Sequence, residues 1–312
     1  MILIPGADYS GANYGKVTPS EGLPIEGITI NGPGAAYGYA DFSVKLWPTF
    51  TSQREYTWSI VDGSAYATIA PTGRLSVASG ASQSPVTIRC SSVANPNVYA
   101  EKVVLCSSGT LTYYDWIQGD GSAYIYIDRF SEIVNATITV EYTTGDIGNT
   151  YLLSSRLTTA LNTYDALALY LQNTGTTSRV AAGTKGTQTI TSTNATSIRY
   201  RAIFKLSSTK TLADASFECY NDATEDRLVS WENFTNYVAT HFTLFALMNL
   251  TEDSFTQQAN GKFYGMTIVK DDITIADYRP CAIDGVPCVI DYISGLTYYN
   301  AASSGAFTVG ND

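Results

Sequence analysis

Three groups of side chains could carry chemistry. The densest is "FECYNDATED", which brings Glu218, Asp222 and Glu225 close together in the chain. Two carboxyls about 5.5 Å apart suit retaining glycoside hydrolysis, and a wider pair suits inversion. A strand would hold such a pair two or four residues apart on one face. Here Asn221-Asp222 and Thr224-Glu225-Asp226 read as loop, and no strand-borne Glu-x-Asp-x-x-Glu spacing occurs. The expectation is a solvated acidic loop and no enzyme. The one histidine, His241 in "VATHFTLFAL", fits strand alternation, and no Gly-x-Ser-x-Gly elbow accompanies it.

The second group is sulfur. Five cysteines stand at 90, 106, 219, 281 and 288. Cys281 and Cys288 flank an Asp284-Gly285 turn, so a hairpin could bring them close. The expectation is free thiols behaving as small buried hydrophobes. The third group could meet ligands. Asp120 and Asp128 in "QGDGSAYIYID" could hold calcium, but acidic ligands are too sparse there, and an Asp-Gly turn is expected. Trp116 in "YYDWIQG" and Trp231 in "VSWENFTN" sit among polar residues and could stack on a sugar ring; packing at an edge is the competing role. Asn-x-Thr sequons at Asn135, Asn194, Asn233 and Asn249 arise by composition. No metal or cofactor is expected.

These residues must be positioned by strands. Of 312 residues only 15% are charged, 23 are tyrosine, and Thr, Val and Ile are abundant. Such a composition favours β structure. Period two dominates. "VNATITVEYTT" sends Val134, Ala136, Ile138, Val140 and Tyr142 to one face, and "SIRYRAIFKL" does the same with Ile198, Tyr200, Ala202, Phe204 and Leu206. "ALALYLQ", "HFTLFALMNL" and "KFYGMTIVKDD" continue the pattern. Many antiparallel strands over about 200 residues predict a two-sheet jelly roll. Short strands over 25–107, with Trp58 in "EYTWSIVDG" as core anchor, predict a smaller sandwich before it. The boundary is placed at 107–108, near "SSGTLTYYDW".

Residues 1–24 hold Gly and Pro without periodicity and read as an extended arm. Its Ile2, Leu3, Ile4, Tyr9, Tyr14 and Val17 need a surface to lie on. A docking partner, or sister copies of the chain, would supply it. The net charge of −10 and scattered Lys and Arg argue against nucleic acid. No run approaches the roughly 20 apolar residues of a membrane helix, so no membrane insertion is expected. The start lacks a basic n-region, so no leader is expected if Met1 is the natural start.

Two resemblances sharpen this. "ITING", "YTWSIVDGSAYATI", "TGRLSV" and "VTIRCSS" together resemble the bacterial immunoglobulin-like domain, group 2. That implies a spacer or adhesive module. "FYGMTIVKDDITIADYRPCAIDGVPCVIDYISGLTYYNAASSGAFTVG" resembles the end of concanavalin A-like (laminin-G-like) jelly rolls in phage and prophage fibre proteins of gut Bacteroidetes, and "YYDWIQGDGSAYIYID" resembles their first strand pair. "ILIPGADYSGANYGKVTP" is similar to the start of some virion proteins of such phages. The resemblances imply an all-β chain: arm 1–24, immunoglobulin-like sandwich 25–107 and jelly roll 108–312. They imply a head-fibre, decoration or tail-fibre protein on a virion surface. The arm would anchor it to capsid or tail proteins, a homo-oligomer, with a trimer favoured, would form, and the jelly roll would hold a host surface glycan. A bacterial cell-surface lectin or adhesin is the alternative, and a glycoside hydrolase the third. The closing segment is expected to act as architecture, with Tyr292, Tyr298, Tyr299 and Phe307 burying large area and closing the sandwich edge.

Overall fold

The computed structural model describes residues 24–49, 54–128, 130, 133–145, 148–156, 166–173, 177–181, 187–191, 198–206, 216–232, 242–249, 254–256 and 259–312. The arm residues Ile2, Leu3, Ile4, Tyr9, Tyr14 and Val17 lie outside these, as do His241, Asn194 and Asn233. Every element among the described residues is a strand. The chain is all-β.

The larger part is two packed sheets. In the eleven-stranded sheet, Ala136–Thr143 pairs with Arg199–Lys205 on one side and Lys262–Lys270 on the other. The six-stranded sheet centres on Gly148–Arg156 and Ala166–Asn173. Alternation decides which side chains meet between them. Ile138, Val140, Tyr142, Tyr200, Phe204 and Phe217 come from the first sheet, Leu153, Leu169, Phe242 and Leu244 from the second, and all are fully buried in one core. The arrangement is a two-layer jelly roll, as the period-two pattern predicts. The Phe242–Leu244 strand departs from alternation: Thr243 is buried too.

The smaller part holds a seven-stranded sheet and a two-stranded pair, Gly27–Asn31 with Ser43–Trp47. Its core joins Phe42, Leu75, Val86, Ile88 and Val104. Trp58 packs against this core, as expected, but part of it stays at the surface. The reason is position. Its strand, Tyr56–Asp62, is the edge of the sheet, so only one side of the ring finds core.

No strand runs across residues 108–110, and the two parts meet along the hairpin of Ile273–Ile283 and Val286–Asp291. Asp284 (φ 51°) and Gly285 (φ 81°) both take the left-handed conformation, so this is the tight two-residue turn. The hairpin buries Cys281, Ile283, Cys288 and Ile290 against Ala35, with Tyr37, Leu105 and Leu111 packed around them. Gly34 donates its N–H to the Tyr292 carbonyl at 2.8 Å, and Gln83 Nε2 reaches Thr297 Oγ1 at 2.7 Å. Gly34 and Gly295 (φ 79°) touch backbone to backbone, so a Cβ on either would collide with the other's main chain. Asp291 is fully buried and holds the turn: it accepts from Asp277 N (2.9 Å), Ile293 N (3.1 Å) and Ser294 Oγ (2.6 Å). The closing segment is architectural in detail unlike the expectation. Phe307 is buried, but Tyr292 and Tyr298 are half-buried and Tyr299 is exposed. The small residues of the hairpin face the first part instead.

Candidate functional site

The cleft comes from a fork in the large sheet. Lys262–Lys270 and Ile273–Ile283 pair from Lys270↔Ile273 as far as Met266↔Tyr278. Beyond that point each takes a new partner. Phe263 pairs with Ile117 of Trp116–Gly119, and Cys281 pairs with Tyr113 of Leu111–Tyr113. Residues 111–119 therefore wedge between two splayed strands. A bulge opposite adds to the opening, because the register of Ala136–Thr143 jumps from Glu141↔Gly265 to Tyr142↔Phe263. Bulges of this kind re-aim side chains beside functional surfaces.

The opening is a cleft of about 340 Å³ on the face opposite the core, within the ordinary range for ligand pockets. Tyr113, Asp115, Glu141, Arg199, Tyr264 and Arg279 line it, among others. Its guanidiniums are clamped. The Arg199 guanidinium lies 4.2 Å from the Tyr264 ring centroid and is ion-paired with Glu141 and with Asp222 (3.3 Å). Burial alone would lower its pKa, yet these carboxylates raise it. Arg279 repeats the pattern: its guanidinium lies 4.2 Å from the Tyr292 ring centroid, and its Nε donates to Asp277 Oδ2 at 3.0 Å. Stacking and ion pairing together hold each donor fork in place. Tyr113 is 43% exposed, though burial still pushes its phenol up to about 12. Burial, aided by a hydrogen bond to Asp312, pushes Tyr264 up to about 12. Both are neutral hydroxyl-bearing rings across the physiological range.

None of the candidate site residues singled out in the sequence that are described lines this cleft. Trp116 borders it, but its ring lies against Gly310, its cross-strand partner, and the Lys262 ammonium stands 4.2 Å from its centroid. Trp231 is on the strand Arg227–Glu232, and its side chain lies outside the described residues. Glu218 is on a strand, Ser216–Asn221, not in a loop, and pairs with Arg227 at 3.1 Å. Asp222 and Glu225 follow in the turn and pair with Arg201. Asp120 spends its carboxylate on the N–H groups of Ser122 (2.8 Å), Ala123 (3.2 Å) and Ala306 (2.7 Å), and Asp128 is exposed. Among the described residues no cluster of three His, Cys, Asp or Glu could hold a metal. Cys281 and Cys288 are opposite one another with sulfurs 3.2 Å apart, both fully buried; the contact with Cys288 and burial raise the Cys281 thiol. Sequence reasoning missed Tyr113, Tyr264, Arg199 and Arg279. Glu141, Arg199 and Arg201 alternate with the inward residues of their strands, which leaves unspecified that they meet.

No family model matches the chain, and no curated protein matches it. Solved structures do. A heptameric SAP-like pentraxin from Limulus polyphemus is 11% identical, covers 57% of this chain and 94% of its own, with a TM-score of 0.38. A candidate carbohydrate-binding protein from Bacteroides ovatus is 8% identical over 92% of this chain and 93% of its own, at 0.41. Arcelin-5, a lectin-like defence protein from Phaseolus vulgaris, is 10% identical over 77% and 97%, at 0.27. The likeness is one of all-β architecture and goes no further.

Proposed function

We propose that this chain is a non-catalytic, lectin-like adhesive protein that holds carbohydrate in the forked cleft. One observation carries the reading: the exposed Tyr113, the half-buried Tyr264 and two clamped guanidiniums line one open cleft of ligand size. A sugar presents hydroxyls on its rim and C–H groups on its faces. Fixed donor forks suit the first and tyrosine rings the second. Hydrolysis would need a carboxyl free to donate a proton. Of the three carboxyls lining the cleft, Glu141 and Asp277 are each engaged with an arginine, and Asp115, which accepts the Asp312 N–H, has no second free carboxyl to work with.

The test is binding of the full chain to an array of bacterial, plant and mucin glycans. Retention that falls at least about tenfold in Tyr264→Ala, with no reducing sugar released, supports the reading. Absence of any bound glycan overturns it, and turnover lost in Glu218→Gln or Asp222→Asn overturns the non-catalytic part.

A second reading concerns where the module is displayed. The resemblance of residues 2–19 and of the closing segment to phage proteins suggests a virion fibre, mounted through the arm as a homo-oligomer, with a cell-surface adhesin as the alternative. Deletion of residues 1–24 would then leave the folded parts intact and abolish incorporation into particles. Normal copy number in the deletion would sink the virion mounting and leave the adhesin.

A further inference from the structure

A second cleft, of about 420 Å³, opens between the two parts of the molecule. Tyr37, Tyr39 and Asp41 come from the smaller part, and Leu111, Tyr113 and Tyr292 from the larger. Tyr113 lines both clefts. Tyr292 lines the second and carries Arg279, which lines the first. The two openings therefore adjoin across one tyrosine.

The far end repeats the chemistry of the near one. Tyr39 is 60% exposed, and the Arg74 guanidinium lies 4.6 Å from its ring centroid. Arg74 in turn makes a two-pronged contact with Asp41, at 2.8 Å for each nitrogen. So three units of tyrosine, arginine and carboxylate line or border the two adjoining clefts: Tyr264–Arg199–Glu141, Tyr292–Arg279–Asp277 and Tyr39–Arg74–Asp41. Tyr113 stands among them. Arg279–Asp277 and Arg74–Asp41 balance one charge with one, while Arg199 also pairs with Asp222, which Arg201 shares.

We propose that the groove binds along a neutral polysaccharide chain, several sugar residues at once, with both parts of the molecule contributing. Repeated platforms fit a repeating ligand better than a single terminal sugar. Guanidiniums already paired with carboxylates offer hydroxyl partners without favouring an ionic ligand, and a chain of net charge −10 repels acidic polymers. The junction that aligns the platforms is fixed by the Gly34–Gly295 contact and the buried hairpin. The inference rests on the carbohydrate reading and extends it.

Native gels containing soluble mannan, mixed-linkage β-glucan, arabinoxylan or dextran test it, with alginate and hyaluronan as acidic comparisons. The full chain should be retarded by at least one neutral polymer and by neither acidic one. For that polymer, oligosaccharides of two to eight residues should bind more tightly as length grows. Tyr39→Ala should weaken the longest oligomer roughly three- to tenfold and leave the shortest unchanged, because only a long chain reaches the smaller part. Tyr113→Ala should weaken every length. If Tyr264→Ala weakens binding but Tyr39→Ala alters no length, the spanning groove is wrong and the forked cleft stands. Tighter binding of the acidic polymers overturns the neutral class. If nothing is retarded and no array glycan binds, the carbohydrate reading itself fails.

Discussion

The strand Arg199–Lys205 has two faces that obey different physics. Inward, Tyr200, Ala202 and Phe204 are fully buried. Outward, Arg199 and Arg201 spend their charges on Glu141, Asp222 and Glu225, and Lys205 lies 3.9 Å from Glu218. The inner face is stabilised by area removed from water, at about 25 cal/mol per Å². The outer face gains little, since exposed ion pairs contribute about 0–1 kcal/mol each. One strand thus separates stability from recognition. The inner face holds the sheet still, and the outer face can be selected for what it binds.

The largest expected effect tests the inner face. Phe204 packs on Phe217 with ring centroids 4.8 Å apart and lies opposite Ile138. Phe204→Ala should lower unfolding free energy by about 3–5 kcal/mol, as buried aromatic deletions do. Denaturant titration checks it. A loss below about 1 kcal/mol would show that the two sheets do not share the core described.

A smaller effect is expected at Trp58, which stands between the two regimes. It packs against the smaller core, and Tyr56 meets its ring edge to face at 6.5 Å. Trp58→Ala should cost about 1–2 kcal/mol, less than a fully buried aromatic. A cost equal to that of Phe204→Ala would mean that something covers the edge strand in solution.

The same contrast explains what the sequence revealed. Ala136, Ile138, Val140 and Tyr142 were legible as an inner face because burial follows period two within one strand. The cleft was not. Glu141 and Arg199 are far apart in sequence and meet only through strand register, which alternation does not specify. The fork is likewise invisible, since nothing local announces where Lys262–Lys270 parts from Ile273–Ile283. Reading aromatic type among polar neighbours pointed to Trp116, one strand from the tyrosines that line the opening. Trp116 and Tyr264 lie on adjoining strands, so the region was legible though the ring was not. The hairpin of Cys281 and Cys288 was legible from its Asp-Gly turn, but its role as the junction was not, because that contact joins residues near 35 to residues near 290.

The smallest expected effect tests the outer face by its charge. Glu225 lies in the turn before Arg227–Glu232 and pairs with Arg201, whose Nη1 stands 3.1 Å from Oε1. The hydrogen bond from Arg201 holds the Glu225 carboxyl below its ordinary value. A depressed carboxyl contributes stability that is complete above its unfolded pKa, about 4.3. That contribution is lost as pH falls through the lower folded value. Carbon-detected NMR titration should place the Glu225 midpoint below about 4.3 at low salt. Arg201→Gln should return it to the ordinary range. About 1 M salt, where screening acts over roughly 3 Å, should raise it part of the way. The contribution of Phe204 should ignore both changes, since it involves no charge. A Glu225 midpoint at the ordinary value, or one that Arg201→Gln leaves in place, would show that the outer pair is loose in solution. The clamped guanidiniums of the neighbouring cleft would then lose their claim to be preorganised donors.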